Sequence, residues 1–228
     1  AALPHVPFDG WTDRALAAGA KAAGRDAADA QRLFPRGPIE AIEVYSGMAD
    51  RAMAAKIPVV AIVIGGLGVG AAKTTDAIMK LPPAITLAFT PYGTDPGKLA
   101  ERARAQRHEI FLQIPMEPYD FPDNDPGPQT LLTSLSADQN MDRLYWHLSR
   151  MQGYAGITNF MGARFVATDA AMQPIIREAA KRGLGFFDDG SSPRSIAPQA
   201  AASQAMPFGK GDIAIDAQYQ YITDPHTF

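Results

Sequence analysis

Between residues 57 and 216, short apolar runs alternate with stretches that favour helix, and this limits the chain to few architectures. The first run, Val-Val-Ala-Ile-Val-Ile at 59–64, is β-branched except for one alanine and is followed by two glycines. Such a run is typical of a strand buried on both faces. The pattern predicts strands at 58–64, 84–90, 109–114, 155–160, 184–188 and 212–216, and helices at 69–81, 96–107, 137–151, 169–182 and 196–205. This alternation predicts the α/β class, with parallel strands and right-handed crossovers.

The two ends of the chain differ from this alternating part. Residues 1–54 are rich in alanine, the strongest helix former, and predict a small α-helical unit. Residues 217–228 carry no usable periodicity and predict an irregular tail. The sequence therefore predicts three parts: a helical N-terminal unit at 1–54, an α/β domain at 57–216 and a tail at 217–228.

Composition excludes several classes of function. With 21 Lys and Arg against 24 Asp and Glu, the net charge is −3, which argues against nucleic-acid binding. The absence of cysteine removes disulfides, thiolate metal sites and thiol nucleophiles. No apolar run reaches the ~18 residues of a transmembrane segment, and no targeting signal is visible. The sequence leaves the oligomeric state open.

Motifs for a metal or a cofactor are weak. No two of the four histidines stand three or four residues apart, as paired ligands on a helix do. Residues 66–71, Gly-Leu-Gly-Val-Gly-Ala, fit the G-x-G-x-x-G/A pattern of a dinucleotide site. The next predicted strand, however, ends in Phe-Thr-Pro rather than in an acidic residue that would hold a ribose. We interpret residues 66–71 as a tight turn between strand and helix, and we expect no cofactor and no metal.

Polar side chains gather after the predicted strands, where α/β enzymes place their chemistry. Gln113 and Glu117 flank the end of the third strand, and Asn159 and Arg164 flank the end of the fourth. Asp188, Asp189, Ser191 and Arg194 follow the fifth. Adjacent carboxylates such as Asp188 and Asp189 suit general-base catalysis. Catalysis, binding of a polar ligand and capping of the following segment are all open for these residues.

Several motifs in register resemble the divergent polysaccharide deacetylase family. They are the run at 60–68, Gln-Ile-Pro-Met-Glu-Pro at 113–118, Asn-Asp-Pro-Gly-Pro at 124–128 with Leu-Leu-Thr at 131–133, Asn-Phe-Met-Gly-Ala-Arg-Phe at 159–165 and Phe-Asp-Asp at 187–189. The resemblance covers residues 57–216 and implies a distorted, incomplete (β/α) barrel related to metal-dependent carbohydrate deacetylases. It also implies a location in the bacterial cell envelope or periplasm.

The metal-ligand positions of that family are replaced in this chain. Metal-bearing members end the first strand with two aspartates and carry one histidine before Pro-Met-Glu and another after the asparagine of the fourth motif. Gly65, Gly66, Gln113 and Phe160 stand there instead. The resemblance therefore implies a metal-free pseudoenzyme that binds carbohydrate or a cell-envelope protein. The implied ligand-binding residues are Gly65, Gly66, Gln113, Glu117, Asn159, Phe160, Arg164, Asp188, Asp189 and Arg194.

Two alternatives accompany this interpretation. One is a carbohydrate deacetylase or hydrolase that uses the carboxylate of Glu117, Asp188 or Asp189 without the usual metal. The other comes from residues 3–12 and 33–37, which resemble the first helices of the lipid-binding accessory proteins of ubiquinone biosynthesis. That second resemblance implies a lipid- or quinone-binding accessory role, and two family resemblances in one chain suggest a chimeric sequence.

Overall fold

The computed structural model describes residues 60–214 continuously, together with ten single residues between 17 and 32. The predicted helical unit at 1–54, apart from those ten residues, and the predicted tail at 217–228 lie outside the described residues. Within 60–214, six strands alternate with five helices. The strands are β1 Val63–Leu67, β2 Thr86–Phe89, β3 Ile110–Met116, β4 Gly156–Met161, β5 Gly185–Asp188 and β6 Phe208–Lys210. The helices are α1 Ala71–Lys80, α2 Pro96–Ala105, α3 Ala137–Leu148, α4 Asp169–Lys181 and α5 Ala197–Ser203.

The strands follow one another in the sheet in chain order, β1-β2-β3-β4-β5-β6. The pairs β1–β2, β3–β4, β4–β5 and β5–β6 are all parallel. Parallel neighbours cannot be joined by a tight hairpin, so a helix lies between each strand and the next. The predicted α/β class, with the sequential parallel strands of a partial (β/α) barrel, is confirmed.

Contacts divide the chain into two compact units. Among the described residues from 60 onward, unit 1 comprises 60–110 and 151–155, and unit 2 comprises 111–150 and 156–214. Unit 1 therefore holds β1, α1, β2 and α2. Unit 2 holds β3 from its second residue and every later element. The predicted boundary between a helical unit and an α/β domain near residue 56 stays a prediction.

β1 begins and ends later in the sequence than the predicted strand at 58–64. It begins at Val63 and includes Gly65 and Gly66, which the sequence analysis places after the strand. The prediction of a strand buried on both faces is wrong, because both glycines are exposed and Val63 and Ile64 are only half-buried. β1 is the first strand in the sheet order, so only one neighbouring strand covers it among the described residues. The register of β1 with β2 shifts between Ile64 and Leu67. Gly66 lies in this stretch and has a φ of +71°, a backbone conformation that glycine adopts readily.

In unit 1, α1 packs on α2, and α2 packs on β2. The buried apolar side chains of this unit are Leu67, Ile78, Leu87, Ala88, Phe89, Ala100, Ala103 and Ile110, with Met151 from the second segment. His108 is also buried, and its ring lies between two carbonyl groups. Its Nδ1 lies 2.8 Å from the carbonyl oxygen of Ile85, and its Nε2 lies 3.2 Å from that of Ile78. His108 therefore helps to pack this unit.

Unit 2 keeps its strands in a regular parallel register. Met116 at the end of β3 pairs with Met161 at the end of β4. The predicted sixth strand at 212–216 is wrong over 212–214, which form no strand, and 215–216 lie outside the described residues; β6 lies earlier, beside β5. There the ring of Phe208 stacks on the ring of Phe186, with centroids 6.5 Å apart. The fully buried apolar side chains of this unit include Leu112, Ile114, Leu131, Leu144, Ile157, Phe165, Ile175 and Ile176.

The start of α3 fixes part of the long loop that follows β3. Ser136 caps the helix: its Oγ accepts a hydrogen bond from the backbone N–H of Gln139 at 3.2 Å, and Gln139 Oε1 accepts one from the Ser136 N–H at 3.0 Å. Inside the helix, the buried amide of Asn140 bonds to both backbone groups of Leu132, at 3.0 and 2.8 Å. The segment next to Leu132 is therefore held against unit 2.

Candidate functional site

The loops that follow β3 and β4 begin side by side in unit 2. Because Met116 pairs with Met161 in a parallel register, the chain leaves both strands at one edge of the sheet. The first loop carries Glu117 and Tyr119, and the second carries Arg164. Ligands of α/β proteins bind at the carboxyl ends of parallel strands. We call this region the β3–β4 edge and treat it as the candidate functional site.

Glu117 is buried at this edge, and both oxygens of its carboxylate are engaged. Its side chain is only 5% exposed. Oε2 accepts hydrogen bonds from the backbone N–H of Thr133 at 2.5 Å and from the Thr133 hydroxyl at 2.7 Å. Oε1 pairs with Nη1 of Arg164 at 3.0 Å. A buried carboxylate is tolerated only with such partners, so Glu117 serves to hold the loops together.

The backbone of Glu117 connects the same segments. Its carbonyl oxygen accepts hydrogen bonds from the N–H groups of Arg164 at 3.2 Å and Phe165 at 3.1 Å. Its own N–H donates to the carbonyl oxygen of Leu131 at 2.9 Å. Glu117 therefore fastens the end of β3 to two other segments, the one at 131–133 and the loop after β4.

Arg164 in turn holds Tyr119 in place at the surface. Its Nη2 donates a hydrogen bond to the Tyr119 carbonyl oxygen at 2.7 Å. The guanidinium carbon lies 5.8 Å from the centroid of the Tyr119 ring, within the range of a cation–π contact. Since Glu117 orients the same guanidinium, the three residues form one connected group. The outcome is a fixed aromatic residue that is 52% exposed.

The remaining predicted residues of these two strands differ in burial. Gln113 is buried in β3, and Asn159 is buried in β4. Asn159 Nδ2 donates to the carbonyl oxygen of Met161 at 2.7 Å, and its Oδ1 accepts a bond from the N–H of Asp189 at 3.0 Å. Phe160 and Met161 are each 37% exposed. Asn159 thus connects β4 to the loop after β5, while the next two residues present apolar surface.

The two carboxylates after β5 have separate environments. Asp188 is fully buried, and its Oδ1 accepts a hydrogen bond from the N–H of Gly190 at 2.9 Å. Its Oδ2 has no hydrogen-bond partner among the described residues, and the same holds for the buried hydroxyl of Ser192. Asp189 is half-buried and accepts a bond from the N–H two residues later at 2.8 Å, and Arg194 is exposed. Each carboxylate therefore stabilises its own tight turn.

Gly65 and Gly66 belong to unit 1, where they lie inside β1 and are exposed. The space beside Gly66 is open, since no atom lies within 4 Å of the position that a Cβ would take. Its φ of +71° is nevertheless one that L side chains rarely adopt. The two positions therefore offer no side-chain ligand, and a side chain at Gly66 would strain the backbone.

The residues at the family's metal-ligand positions do not fit a divalent metal. A catalytic zinc needs about three nitrogen, oxygen or sulfur ligands from the protein and a bound water. The positions hold two glycines, the amide of Gln113 and the phenyl ring of Phe160, while Glu117 is already engaged with Arg164 and Thr133. Within the part of the chain that the structure describes, no group of three or more His, Asp or Glu side chains is placed to hold a metal.

The structure joins several of the residues predicted for the site to one another. Glu117 bonds to Arg164 through the side chains, and Asn159 bonds to the backbone of Asp189. The buried Asp188 side chain bonds to the turn that follows it rather than to either pair. The residues that converge are therefore bound to one another, and the Glu117–Arg164 pair forms the centre of the site.

Sequence reasoning missed two contributors to this site, Thr133 and Tyr119. Thr133 supplies two donors to one carboxylate oxygen, and Tyr119 supplies the exposed ring beside Arg164. Thr133 lies within the Leu-Leu-Thr motif at 131–133. Its hydroxyl and its backbone N–H are two neighbouring donors, which suit a buried carboxylate. No comparable signal marks Tyr119, because its contact depends on a residue 45 positions away.

Comparison with known proteins places the chain in a family. The sequence model of the divergent polysaccharide deacetylases matches residues 62–224. The chain is 24% identical over 186 residues to YibQ, an uncharacterized protein of Escherichia coli strain K12, and the match covers 81% of this chain and 56% of YibQ. The crystal structure of the uncharacterized protein ATU2773 from Agrobacterium tumefaciens C58 has a TM-score of 0.67 and 41% identity, covering 69% of this chain and 64% of that one. The chain thus spans less than two thirds of the length of either relative.

The matched region includes all six strands and every residue of the β3–β4 edge. The match to a solved structure at 41% identity agrees with the match to the family model. The resemblance seen in the sequence motifs is confirmed, and this chain belongs to the divergent polysaccharide deacetylase family.

Proposed function

We propose that this chain binds carbohydrate at the β3–β4 edge and does not carry out metal-dependent deacetylation. The observation that carries the proposal is the state of Glu117. Its carboxylate is buried and engaged by Arg164 and Thr133, beside strands that present Gln113 and Phe160 where ligands of a metal are expected. The residues of the site thus hold its shape and leave no ligand set for a metal.

Exposed apolar surface supports ligand binding at this edge. Tyr119, Phe160 and Met161 are large side chains at the ends of neighbouring strands, and each is at least 37% exposed. Met161 also has a positive φ of +56°, which is uncommon for a residue with a side chain and is often found at functional sites. Membership of a carbohydrate-active family favours a saccharide as the ligand.

The carboxylate-based hydrolase is less well supported. A general acid or base must reach the reacting group of the substrate. The carboxylates of Glu117 and Asp189 already accept hydrogen bonds from neighbouring groups, and Asp188 is fully buried. The carboxylates of Glu117 and Asp188 are therefore not accessible to a substrate in the described structure, and the half-buried Asp189 is the most accessible of the three.

A cell-envelope setting is part of the proposal and rests on the family alone. Among the described residues, no helix has the length and apolar character needed to cross a membrane. The alternative role in lipid or quinone binding depends on residues 1–54, most of which lie outside the described residues.

Three measurements on the purified full chain test the proposal. Metal content is measured by plasma mass spectrometry after dialysis against Zn²⁺ or Ni²⁺. Acetate release is measured with N-acetylchitohexaose, and binding of N-acetylchitohexaose and of cellohexaose is measured by calorimetry. We expect saturable binding, no stoichiometric metal and no acetate. Acetate release that depends on a bound metal and stops on chelation would overturn the proposal, as would a lack of binding to N-acetylchitohexaose and to cellohexaose.

The same assay addresses the carboxylate-based alternative. Acetate release without metal that is lost in Glu117→Gln, Asp188→Asn or Asp189→Asn would establish a hydrolase and reject the non-catalytic interpretation. The matched control is Asp76→Asn, which changes an exposed carboxylate on α1 that pairs with Lys80 at 2.9 Å.

A further inference from the structure

We infer that Tyr119 is a stacking platform for the ring of a neutral pyranose. The inference rests on the proposed carbohydrate binding and adds to it the contact residue and the charge class of the sugar. Three features of the structure carry it: the fixed position of the aromatic residue, the polar atoms beside it and the balance of charge around it.

The first feature is that Tyr119 is held in place while it stays exposed. Its carbonyl oxygen accepts the 2.7 Å bond from Arg164, whose guanidinium also lies 5.8 Å from the ring centroid. Glu117 fixes that guanidinium from the interior at 3.0 Å. A side chain that is ordered before binding loses less conformational entropy when a ligand arrives. A 52% exposed aromatic residue that is anchored in this way suits contact with a flat apolar ligand face.

The second feature is the set of side-chain oxygen atoms in the loop that follows Tyr119 in the chain. The loop that follows it exposes the side chains of Asp120, Asp123, Asn124 and Asp125. Local bonds hold this loop, since Asn124 Nδ2 donates to Asp120 Oδ2 and Asp125 Oδ1 accepts from the N–H of Gly127 at 2.9 Å. A pyranose has one face of C–H groups and a rim of hydroxyl donors. An aromatic face with acceptor oxygens nearby matches both.

The third feature is charge. The positive charge of Arg164 is compensated by Glu117, and the loop after Tyr119 carries three aspartates and no Lys or Arg between 119 and 130. Like charges placed together are unfavourable, so an anionic sugar such as a uronate is repelled. The platform therefore selects a neutral saccharide.

The test compares oligosaccharide binding to four forms of the full chain by calorimetry. The probes are N-acetylchitohexaose, cellohexaose and, as the anionic probe, hexagalacturonate. The variants are Tyr119→Ala, Tyr119→Phe and Tyr145→Ala. Tyr145 is a matched control, because it is 41% exposed and also has an arginine, Arg182, over its ring at 5.2 Å, but it lies on α3.

We expect the wild type to bind at least one neutral probe more tightly than hexagalacturonate. Tyr119→Ala should weaken that binding about tenfold, because it removes one buried aromatic face. Tyr119→Phe keeps the ring and should bind within about twofold of the wild type, and Tyr145→Ala should bind as the wild type does. Circular dichroism of each variant verifies that it is folded.

The failures of the two proposals are distinguishable. If the wild type binds no neutral probe, the proposed function is rejected. If the wild type binds but Tyr119→Ala binds equally well, or no more weakly than Tyr145→Ala, the stacking role of Tyr119 is rejected while carbohydrate binding stands. Tighter binding of hexagalacturonate than of both neutral probes would reject the selection for neutral sugars.

Discussion

Oε1 of Glu117 lies 3.0 Å from Nη1 of Arg164, and this ion pair joins residues that are 47 positions apart in the chain. The two partners differ in exposure: Glu117 is 5% exposed, whereas Arg164 is 41% exposed. The carboxylate therefore depends on the guanidinium for compensation, while the guanidinium remains in contact with water. The ion pair positions the loops of the β3–β4 edge.

Loss of Arg164 should leave a buried carboxylate without its charged partner. We expect Arg164→Ala to lower the free energy of unfolding by about 2 kcal/mol, because an uncompensated buried charge is strongly unfavourable and solvent offsets part of the loss. Urea unfolding followed by circular dichroism measures the change.

The control for Arg164 is an ion pair at the surface. Lys80 Nζ lies 2.9 Å from Asp76 Oδ2 within α1, and the two side chains are 71% and 60% exposed. Lys80→Ala should change stability by no more than about 1 kcal/mol, as exposed pairs do. An equal decrease in the free energy of unfolding of the two variants would show that the Glu117–Arg164 pair stabilises the protein no more than an exposed ion pair does.

Gly162 should be irreplaceable for a steric reason. It follows β4 with φ of +91°, and a Cβ at this position would lie 2.6 Å from the Cβ of Met116. Gly162→Ala should therefore lower the free energy of unfolding by about 3 kcal/mol, from backbone strain and a clash with a fixed side chain. Thermal and urea unfolding measure the loss.

The variant Gly183→Ala distinguishes the effect of backbone strain from the effect of the steric clash. It has φ of +71° after α4, but no atom lies within 4 Å of its Cβ position. Gly183→Ala should lower the free energy of unfolding by only about 1 kcal/mol, which is the strain alone. If both variants lost the same stability, the predicted contact with Met116 would be wrong.

The order of the elements was predictable because buried parallel strands leave continuous apolar runs. Such a run identifies β3 closely, and β4 was also placed closely although Thr158 and Asn159 interrupt its apolar residues; both strands are largely buried. The pattern fails for β6, which has three residues and includes Gly209. Its position depends on the stacking of Phe208 on Phe186, and a contact of that kind leaves no local period in the sequence.

The residues of the site could be predicted from the sequence, but the hydrogen bonds and the ion pair between them could not. Glu117 and Arg164 both follow strands, which is enough to select them. That they pair depends on the register of β3 with β4, which aligns Met116 with Met161. Tyr119 escaped notice because nothing local distinguishes an anchored exposed ring from an ordinary surface tyrosine.

Substitution of Asp188 should not lower the free energy of unfolding, whereas substitution of Arg164 should. Its Oδ2 is buried without a hydrogen-bond partner among the described residues, whereas its Oδ1 accepts a bond from Gly190. Asp188→Asn keeps the oxygen that accepts the bond from Gly190 and replaces the unpartnered Oδ2 by an uncharged amide group, so it should leave stability unchanged or raise it by about 1 kcal/mol. Urea unfolding at neutral pH measures the change.

The variant Asp189→Asn is the control for this prediction. Asp189 is only half-buried, and an asparagine can still accept the bond that its Oδ1 makes with the N–H of Ser191. Its stability should therefore stay within about 0.5 kcal/mol of the wild type. A loss above about 2 kcal/mol in Asp188→Asn alone would mean that a positive group or ion compensates the Asp188 carboxylate.

His147 makes the stability of the chain depend on pH. It is fully buried on α3, and its Nε2 lies 2.8 Å from the carbonyl oxygen of Gln129. The pKa of His147 is lowered to about 4, chiefly by burial; the hydrogen bond to Gln129 acts in the opposite direction, and the charge of Arg143 adds to the lowering. The folded chain therefore keeps this imidazole neutral at pH values where an exposed histidine is protonated.

In the unfolded chain His147 should take up its proton near the ordinary histidine pKa of about 6.5. Between about pH 6.5 and pH 4 the unfolded state then binds more protons than the folded state, so stability falls as the pH falls through this window, by roughly 3 kcal/mol in total from this residue. His147→Gln removes the titration and retains a donor for Gln129. Its free energy of unfolding should therefore decline less than that of the wild type in urea titrations from about pH 7 to about pH 4. If the free energy of unfolding of the variant declined as much as that of the wild type, groups other than His147 would cause the acid sensitivity.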